Sequence, residues 1–226
     1  MKVPVITIDG PSGSGKGTIA RWLAETLGWH LLDSGALYRV LGLYAQRCGV
    51  GLDDAPQLAQ LARELPVTFV VNPGQEQRVL LAGEDVTVQI RTEDAGKAAS
   101  QVAAIPEVRE ALLDRQRAFR QPPGLVADGR DMGTGIFPDA EVKIFLTASV
   151  EERARRRYKQ LNEQGGGGNL TALLRDIAER DRRDATRAVA PLRPAADAVT
   201  VDTTGMGIEA VVERVRRIVD ERLGPM

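Results

Sequence analysis

Residues 10–18 read GPSGSGKGT. Glycines at 10, 13 and 15 permit a tight turn whose backbone N–H groups face an anion, and Lys16 adds a point charge suited to β- and γ-phosphates. Gly10, Pro11, Ser12, Gly13, Ser14, Gly15, Lys16, Gly17 and Thr18 therefore form a candidate phosphate-binding loop. The pattern departs by one place from G-x-x-x-x-G-K-[ST]: Gly17 follows the lysine and the hydroxyl arrives on Thr18. A magnesium ion held directly by the usual hydroxyl is not implied. Two further groups could do chemistry. Asp128, Arg130 and Asp131 sit in a DGRD stretch, and Arg180, Asp184 and Arg187 recur at spacings of four and three, which places them on one helix face. Taken alone, the first is an ordinary turn with a surface ion pair and the second an ordinary i,i+4 helix pair.

The elements that must position these residues are legible as apolar runs. VPVITI before the glycine loop, WHLLDS at 29–34, LVAD at 125–128, VKIFL at 142–146 and AVTVD at 198–202 suit strands buried on both faces of a parallel sheet. Ile19, Leu23 and Leu27 with Gly28 as a stop mark a helix after the loop; Ile208, Val211, Val212, Val215 and Ile218 mark another that ends at Gly224. Alternating strands and helices predict an α/β fold, a doubly wound five-stranded parallel sheet. Two regions interrupt it. Residues 67–90 read as three short strands, VTFVV, RVLLA and VTVQI, with turns at Asn72-Pro73-Gly74 and Gly83-Glu84-Asp85, which is a small antiparallel sheet. Residues 151–187 are helical and rich in arginine, broken by four glycines at 165–168 that form either a lid tip or a plain exposed loop. The expected division is a single domain with a core at 1–34, 93–150 and 191–226, an insert at 35–92, and a lid with its flanking helices at 151–190.

Composition narrows the function. With 226 residues, 43% hydrophobic and 27% charged, the chain is an ordinary soluble globule with room for one α/β core plus insertions. A net charge of −1 gives no general attraction to nucleic acid or anionic membrane, so neither is an expected partner. One cysteine, Cys48, and one histidine, His30, leave no disulfide framework and too few soft ligands for zinc. Cys48 reads as a small buried apolar group and His30 as a structural strand residue. No apolar run reaches the length of a membrane helix, and the cytoplasm is the expected compartment. The guanine-reading Asn-Lys-x-Asp box is missing, because no Asn-Lys pair occurs. That weakens a GTP-operated switch and favours phosphoryl transfer to a second bound substrate, with a lid that excludes water. A nucleotide-binding regulator without turnover stays open.

GPSGSGKGT, DSGALYR at 33–39, ASQVA at 99–103, DGRDMGT at 128–134 and ERDRRDATRAVAPL at 179–192, in this order over essentially the whole chain, resemble the bacterial cytidylate kinase family of nucleoside monophosphate kinases. The resemblance implies a P-loop kinase that phosphorylates CMP and dCMP with ATP, in pyrimidine nucleotide metabolism. It implies an inserted subdomain for the nucleoside monophosphate and a short arginine-rich lid, in a chain that works as a monomer. It implies that residues 10–18 hold the ATP phosphates, and that Mg2+ is held mainly by ATP and water with Asp128 in its outer shell. The basic run RARRRYK at 153–159 reads either as a solvated helix face or as a lid face on which Arg153 or Arg157 touches ATP. Ser34, Arg39 and Arg130 would surround the CMP phosphate; Ser100, Arg109 and Asp131 would read cytosine; Tyr38 would lie near the base. Arg180, Asp184 and Arg187 would serve the sugar and phosphates, with Lys16, Arg130 and Arg187 as the catalytic charges. Other acceptors, among them UMP, AMP and shikimate, fit the P-loop but not the DSGALYR and GRDMGT stretches.

Overall fold

The computed structural model describes residues 2–70, 77–163 and 169–225. In chain order, β1 (Val5–Asp9) leads through the glycine loop into α1 (Lys16–Leu27), β2 (His30–Asp33), α2 (Ser34–Arg47), α3 (Ala55–Arg63), β3 (Val67–Val70), β4 (Arg78–Leu81) and β5 (Glu84–Asp85). A 3-10 turn (Gln89–Arg91) precedes α4 (Glu93–Val102) and α5 (Pro106–Arg117), then β6 (Leu125–Gly129), one π-helical turn (Met132–Ile136), β7 (Val142–Thr147), α6 (Val150–Glu163), α7 (Leu170–Thr186), β8 (Val199–Asp202) and α8 (Ile208–Leu223). Packing divides the chain into two compact units. One comprises residues up to Asp33 together with Arg117 onward, the other Ser34–Gln116.

In the first unit the five predicted apolar runs form one sheet in the order β2-β6-β1-β7-β8, every pairing parallel. All five residues of β1 are buried, as a central strand covered on both faces requires. Ile6, Ile8, Val126, Ile144 and Leu146 pack with Ile19 and Leu23 of α1 and with Val215 and Ile218 of α8. α1 stops where a residue must turn left-handed: Gly28, at φ 63°, donates its amide back to the Ala24 and Glu25 carbonyls. Because connections leave β1 and β6 toward opposite edges, the loop after β1 lies at the carboxyl ends of the strands beside the reversal of strand order, where α/β sheets take ligands. α6 and α7 pair through Ala154, Leu173 and Ile177, and the Asn169 side chain caps α7 by accepting from the Thr171 and Ala172 amides. The four glycines at 165–168 lie outside the described residues.

The second unit holds α2–α5 and the antiparallel sheet β3-β4-β5. The third strand is not where the sequence pattern put it. Ala82 (φ 50°) and Gly83 (φ 86°) form a two-residue hairpin turn that pairs Leu81 with Glu84, so the strand comprises Glu84 and Asp85 alone. The Asp85 carboxylate then accepts from the Thr87 amide and hydroxyl, which curls the chain out of the sheet and leaves Val86 and Ile90 to bury as core residues. The Asn72-Pro73-Gly74 turn lies outside the described residues. α4 and α5 also cluster here, whereas the sequence reading set 93–150 in the core. Gly42 of α2 lets α4 approach closely, since a Cβ there would meet that of Ala98 at 3.0 Å, and Ala99, Val102, Val108 and Leu112 bury against Val40 and Leu41.

Two smaller expectations meet different outcomes. Cys48 is exposed, not buried, because it falls in the turn that follows α2. His30 does lie in a strand, at the sheet edge, with its Nε2 3.0 Å from the Pro122 carbonyl oxygen. Among the described residues no helix is long and apolar enough to cross a membrane. Ile208, counted above in the apolar stripe of α8, is 56% exposed, while Ile144 is 1% exposed. Ile144→Ala should therefore destabilise the fold by about 2–5 kcal/mol and Ile208→Ala by under about 0.5 kcal/mol; urea unfolding midpoints at constant m-value measure both.

Candidate active site

The glycine loop follows β1 without a break, and sterics dictate its residues. A Cβ on Gly10 would lie 2.0 Å from the backbone oxygen of Leu146 on β7, so only glycine can pass there. Gly15, at φ 91°, opens α1 with no side-chain cap, which leaves the first helical amides for an anion. The Lys16 ammonium donates to the Pro11 carbonyl at 3.2 Å. Burial first, then the Arg130 guanidinium, pushes its pKa down to about 7 against the pull of Asp128. Gly17 faces a carboxylate: a Cβ there would stand 3.2 Å from Asp128 Oδ2. Asp128, the penultimate residue of β6, is in register with Asp33 at the end of β2. Position 17 is thus small where an acid, not a hydroxyl, occupies the neighbouring space.

The basic residues gather on this loop. Arg130 Nε donates to Asp184 Oδ2 at 3.0 Å, an ion pair whose side chains are 17% and 4% exposed. Arg187 Nε lies 3.4 Å from the Asp184 carbonyl, and Arg180 Nη1 reaches Ser12 Oγ at 3.5 Å. Burial would raise the Asp184 carboxyl, but Arg130, Arg187 and Arg180 outweigh it and hold the group below its ordinary value. The spacing argument holds for Arg180 and Asp184; Arg187 is the residue at which α7 has already ended. Among residues of the first unit, then, the structure brings together the loop, Asp128, Arg130, Arg180, Asp184 and Arg187. Asp131 is 4% exposed and leads the π-helical turn.

Two arginines of α6 support the loop: Arg153, which with Arg157 is an alternative for the ATP contact, and Arg156, which the sequence does not single out. Arg153, 3% exposed, donates through Nε to Ala148 O at 2.9 Å and through Nη1 to Ser12 O at 3.0 Å, and it forms an ion pair with Asp181 of α7. Arg156 Nη1 donates to Thr203 Oγ1 at 3.0 Å and Nη2 to Thr203 O at 2.6 Å, with Ser14 O at 3.4 Å from Nη1. Arg157, the expected ATP contact, donates to Gln160 on its own helix at 2.8 Å. The spacing of Arg153 and Arg156 was visible as an i,i+3 pair, but nothing in the run RARRRYK distinguished inward from outward arginines. Asp9, at the end of β1, is a further buried group without a sequence signal.

The second unit carries the remaining expected residues. Ser34 opens α2 and its hydroxyl donates to Gln116 Oε1 at 2.7 Å. Arg39 Nη1 donates to Ile90 O at 3.1 Å. The Arg109 guanidinium stacks over the Tyr38 ring at 5.9 Å and donates to Ala103 O at 3.3 Å. Tyr38, Ser100 and Arg109 are all buried.

A glycine loop at the switch point of a parallel sheet, opening a helix and ringed by a lysine and arginines, defines a P-loop mononucleotide-binding protein. A sequence model of the family described as cytidylate kinase matches residues 6–221. A curated cytidylate kinase of Pseudomonas aeruginosa is 62% identical over 216 residues, covering 95% of this chain and 94% of that one. Another, of Aeromonas hydrophila, is 60% identical over 221 residues, covering 98% and 96%. The chain belongs to the cytidylate kinase family.

The state of Lys16 yields a measurable outcome. With a pKa near 7 the side chain is mostly neutral at pH 8, and the charges of a bound polyphosphate raise it, so binding must take up protons. Calorimetry of ATP binding at pH 8 in buffers of different ionisation enthalpy should show uptake approaching one proton, and Lys16→Met should abolish it.

Proposed function

We propose that the chain transfers the γ-phosphoryl group of ATP to CMP and dCMP, giving ADP and CDP or dCDP. The observation that carries this reading is the cluster of Lys16, Arg130, Arg180 and Arg187 around the glycine loop. An oxygen of the CMP phosphate attacks the γ-phosphorus; the bond from that phosphorus to the β–γ bridging oxygen breaks, and its electron pair leaves with ADP. The attacking oxygen is already ionised at neutral pH, so no general base has to remove a proton. Catalysis comes from in-line positioning and from charge: the loop amides and Lys16 on the ATP phosphates, Arg130 and Arg187 on the group in transfer. Arg130→Ala should raise the barrier by about 2–4 kcal/mol.

The residues present fit a magnesium ion that rests chiefly on the nucleotide. The Asp128 carboxylate stands beside Gly17 where the common motif carries a hydroxyl. Asp128 would act in the outer shell of the ion, whose chemistry is to neutralise the β- and γ-phosphate oxygens.

By the family likeness Ser34 and Arg39 join Arg130 on the CMP phosphate, Asp184 accepts from ribose hydroxyls, and Ser100, Arg109 and Asp131 read the base, with Tyr38 near it. Arg157 is assigned to ATP as a basic residue of the lid helix α6. An Asp131 carboxylate that accepts from the cytosine amino group repels uracil, whose carbonyl would set acceptor against acceptor. The protein works as a monomer in the cytoplasm, with the α6–α7 pair as the lid over ATP.

The test is ADP release from MgATP with CMP, dCMP, UMP, AMP, GMP and shikimate offered one at a time, beside a control with no acceptor. Turnover confined to CMP and dCMP supports the reading; turnover on another acceptor, or ADP release without one, overturns it. Asp131→Ala should lower the CMP:UMP ratio of kcat/KM by about tenfold or more, and an unchanged ratio removes Asp131 from base recognition.

A further inference from the structure

We propose that Asp9 is a positioning residue for base selection: its buried carboxylate pins the π-helical turn and so fixes where Asp131 stands. The inference rests on the reading of Asp131 as a base reader given above. Asp9 is 5% exposed, and each of its oxygens takes one backbone amide, Oδ1 from Met132 and Oδ2 from Gly133, both at 2.8 Å. The start of a helical turn leaves such amides without intrahelical acceptors, and the Asp131 side chain does not cap this one. Asp9 supplies the cap from the neighbouring strand, across 123 and 124 residues of sequence.

The turn then transmits that anchorage to Asp131. The Asp131 carbonyl accepts from the Gly135 amide at 2.8 Å and from the Ile136 amide at 3.2 Å, while Phe137 N donates to Met132 O at 2.7 Å. From below, a Cβ on Gly133 would meet Thr7 Oγ1 at 2.8 Å and Lys143 Cδ at 3.2 Å, so the turn lies directly on β1 and β7. From above, the Asp131 carboxylate folds over its own turn, with Oδ2 3.0 Å from where a Cβ on Gly135 would stand. A shift of the 132–133 amides therefore carries Asp131 with it.

Asp9 holds this place against an electrostatic cost. Burial pushes its carboxyl up to about 7, with Asp131 and Asp128 adding to the rise and the two amides opposing it. The transfer chemistry makes no use of the group. A carboxylate gives each of two successive amides an oxygen of its own, whereas an Asn or Ser side chain has a single acceptor oxygen for the two to share.

Asp9→Asn keeps the size, retains one oxygen and sets an NH2 against one amide. The expected result is a CMP:UMP ratio of kcat/KM reduced about fivefold or more, with KM for ATP within about twofold of the parent. In an Asp131→Ala background the same substitution should change the ratio no further. Val215→Ala, which weakens the core remote from the turn, should lower the melting temperature and leave the ratio intact. If Asp9→Asn lowers stability alone while Asp131→Ala abolishes discrimination, the inference fails and the base reading stands. If Asp131→Ala leaves discrimination intact, the base reading fails and takes the inference with it. Should Asp9→Asn not fold, Gly133→Ala lifts the same turn with Asp9 in place: a reduced ratio supports the inference, and an unchanged one overturns it.

Discussion

Crowding of positive charge at one end of a parallel sheet is the condition on which the rest of this protein depends. Lys16, Arg130, Arg180 and Arg187 repel one another, and they remain together because Asp184 and Asp128 lie among them. Each acid is delivered by a different element. β6 ends on Asp128 and Gly129 just before Arg130, and α7 presents Asp184 between two arginines. Arg153 ties α7 to the loop backbone through Asp181 and Ser12, so one guanidinium sets the position of helix and loop together. A buried pair of this sort contributes little net stability, yet loss of either partner leaves a costly bare charge. Its value here lies in placing α7.

The core was legible because its physics is local and redundant. A strand buried on both faces must be apolar at nearly every position; β1, β6 and most of β7 are buried so, and the other two apolar runs form the edge strands β2 and β8, which are partly exposed. Left-handed stops were equally plain at Gly28 and Gly224, where glycine follows an amphipathic stretch. Legibility failed where two structures share one pattern. Val86 to Ile90 alternates like a strand, but Ala82 adopts a positive φ that its residue type does not advertise, and the hairpin closes two residues earlier than glycine alone would suggest. Helices α4 and α5 looked like core helices because their apolar faces do not say against what they pack; Gly42 opposite Ala98 decides it.

The site was readable to a different depth at different residues. Loop glycines follow from chain geometry, and helical spacing sets Arg180 and Asp184 together on α7, but the ion pair of Asp184 with Arg130 has no signal in spacing. Resemblance to a family supplied the roles of Ser100, Arg109 and Asp131, which no spacing rule could assign. Arg156 and Asp9 went unseen, and Arg153 was legible only as an alternative ATP contact, because all three hold backbone: carbonyls of the loop in two cases, amides of a turn in the third. Residues that bind main chain leave no motif, since every position of a chain offers the same partners.

Gly17 and Asp128 constrain each other. A side chain at 17 and a carboxylate at 128 compete for one small volume, with only 3.2 Å between the absent Cβ and Oδ2. Any side chain at 17 therefore makes the Asp128 carboxylate give by a few tenths of an ångström, and shortening Asp128 leaves a void beside the loop. The two positions lie far apart in the chain and on adjacent elements in space, so a change at one alters what the other tolerates. Glycine after the lysine is in this way fitted to a carboxylate that the glycine loop itself does not contain.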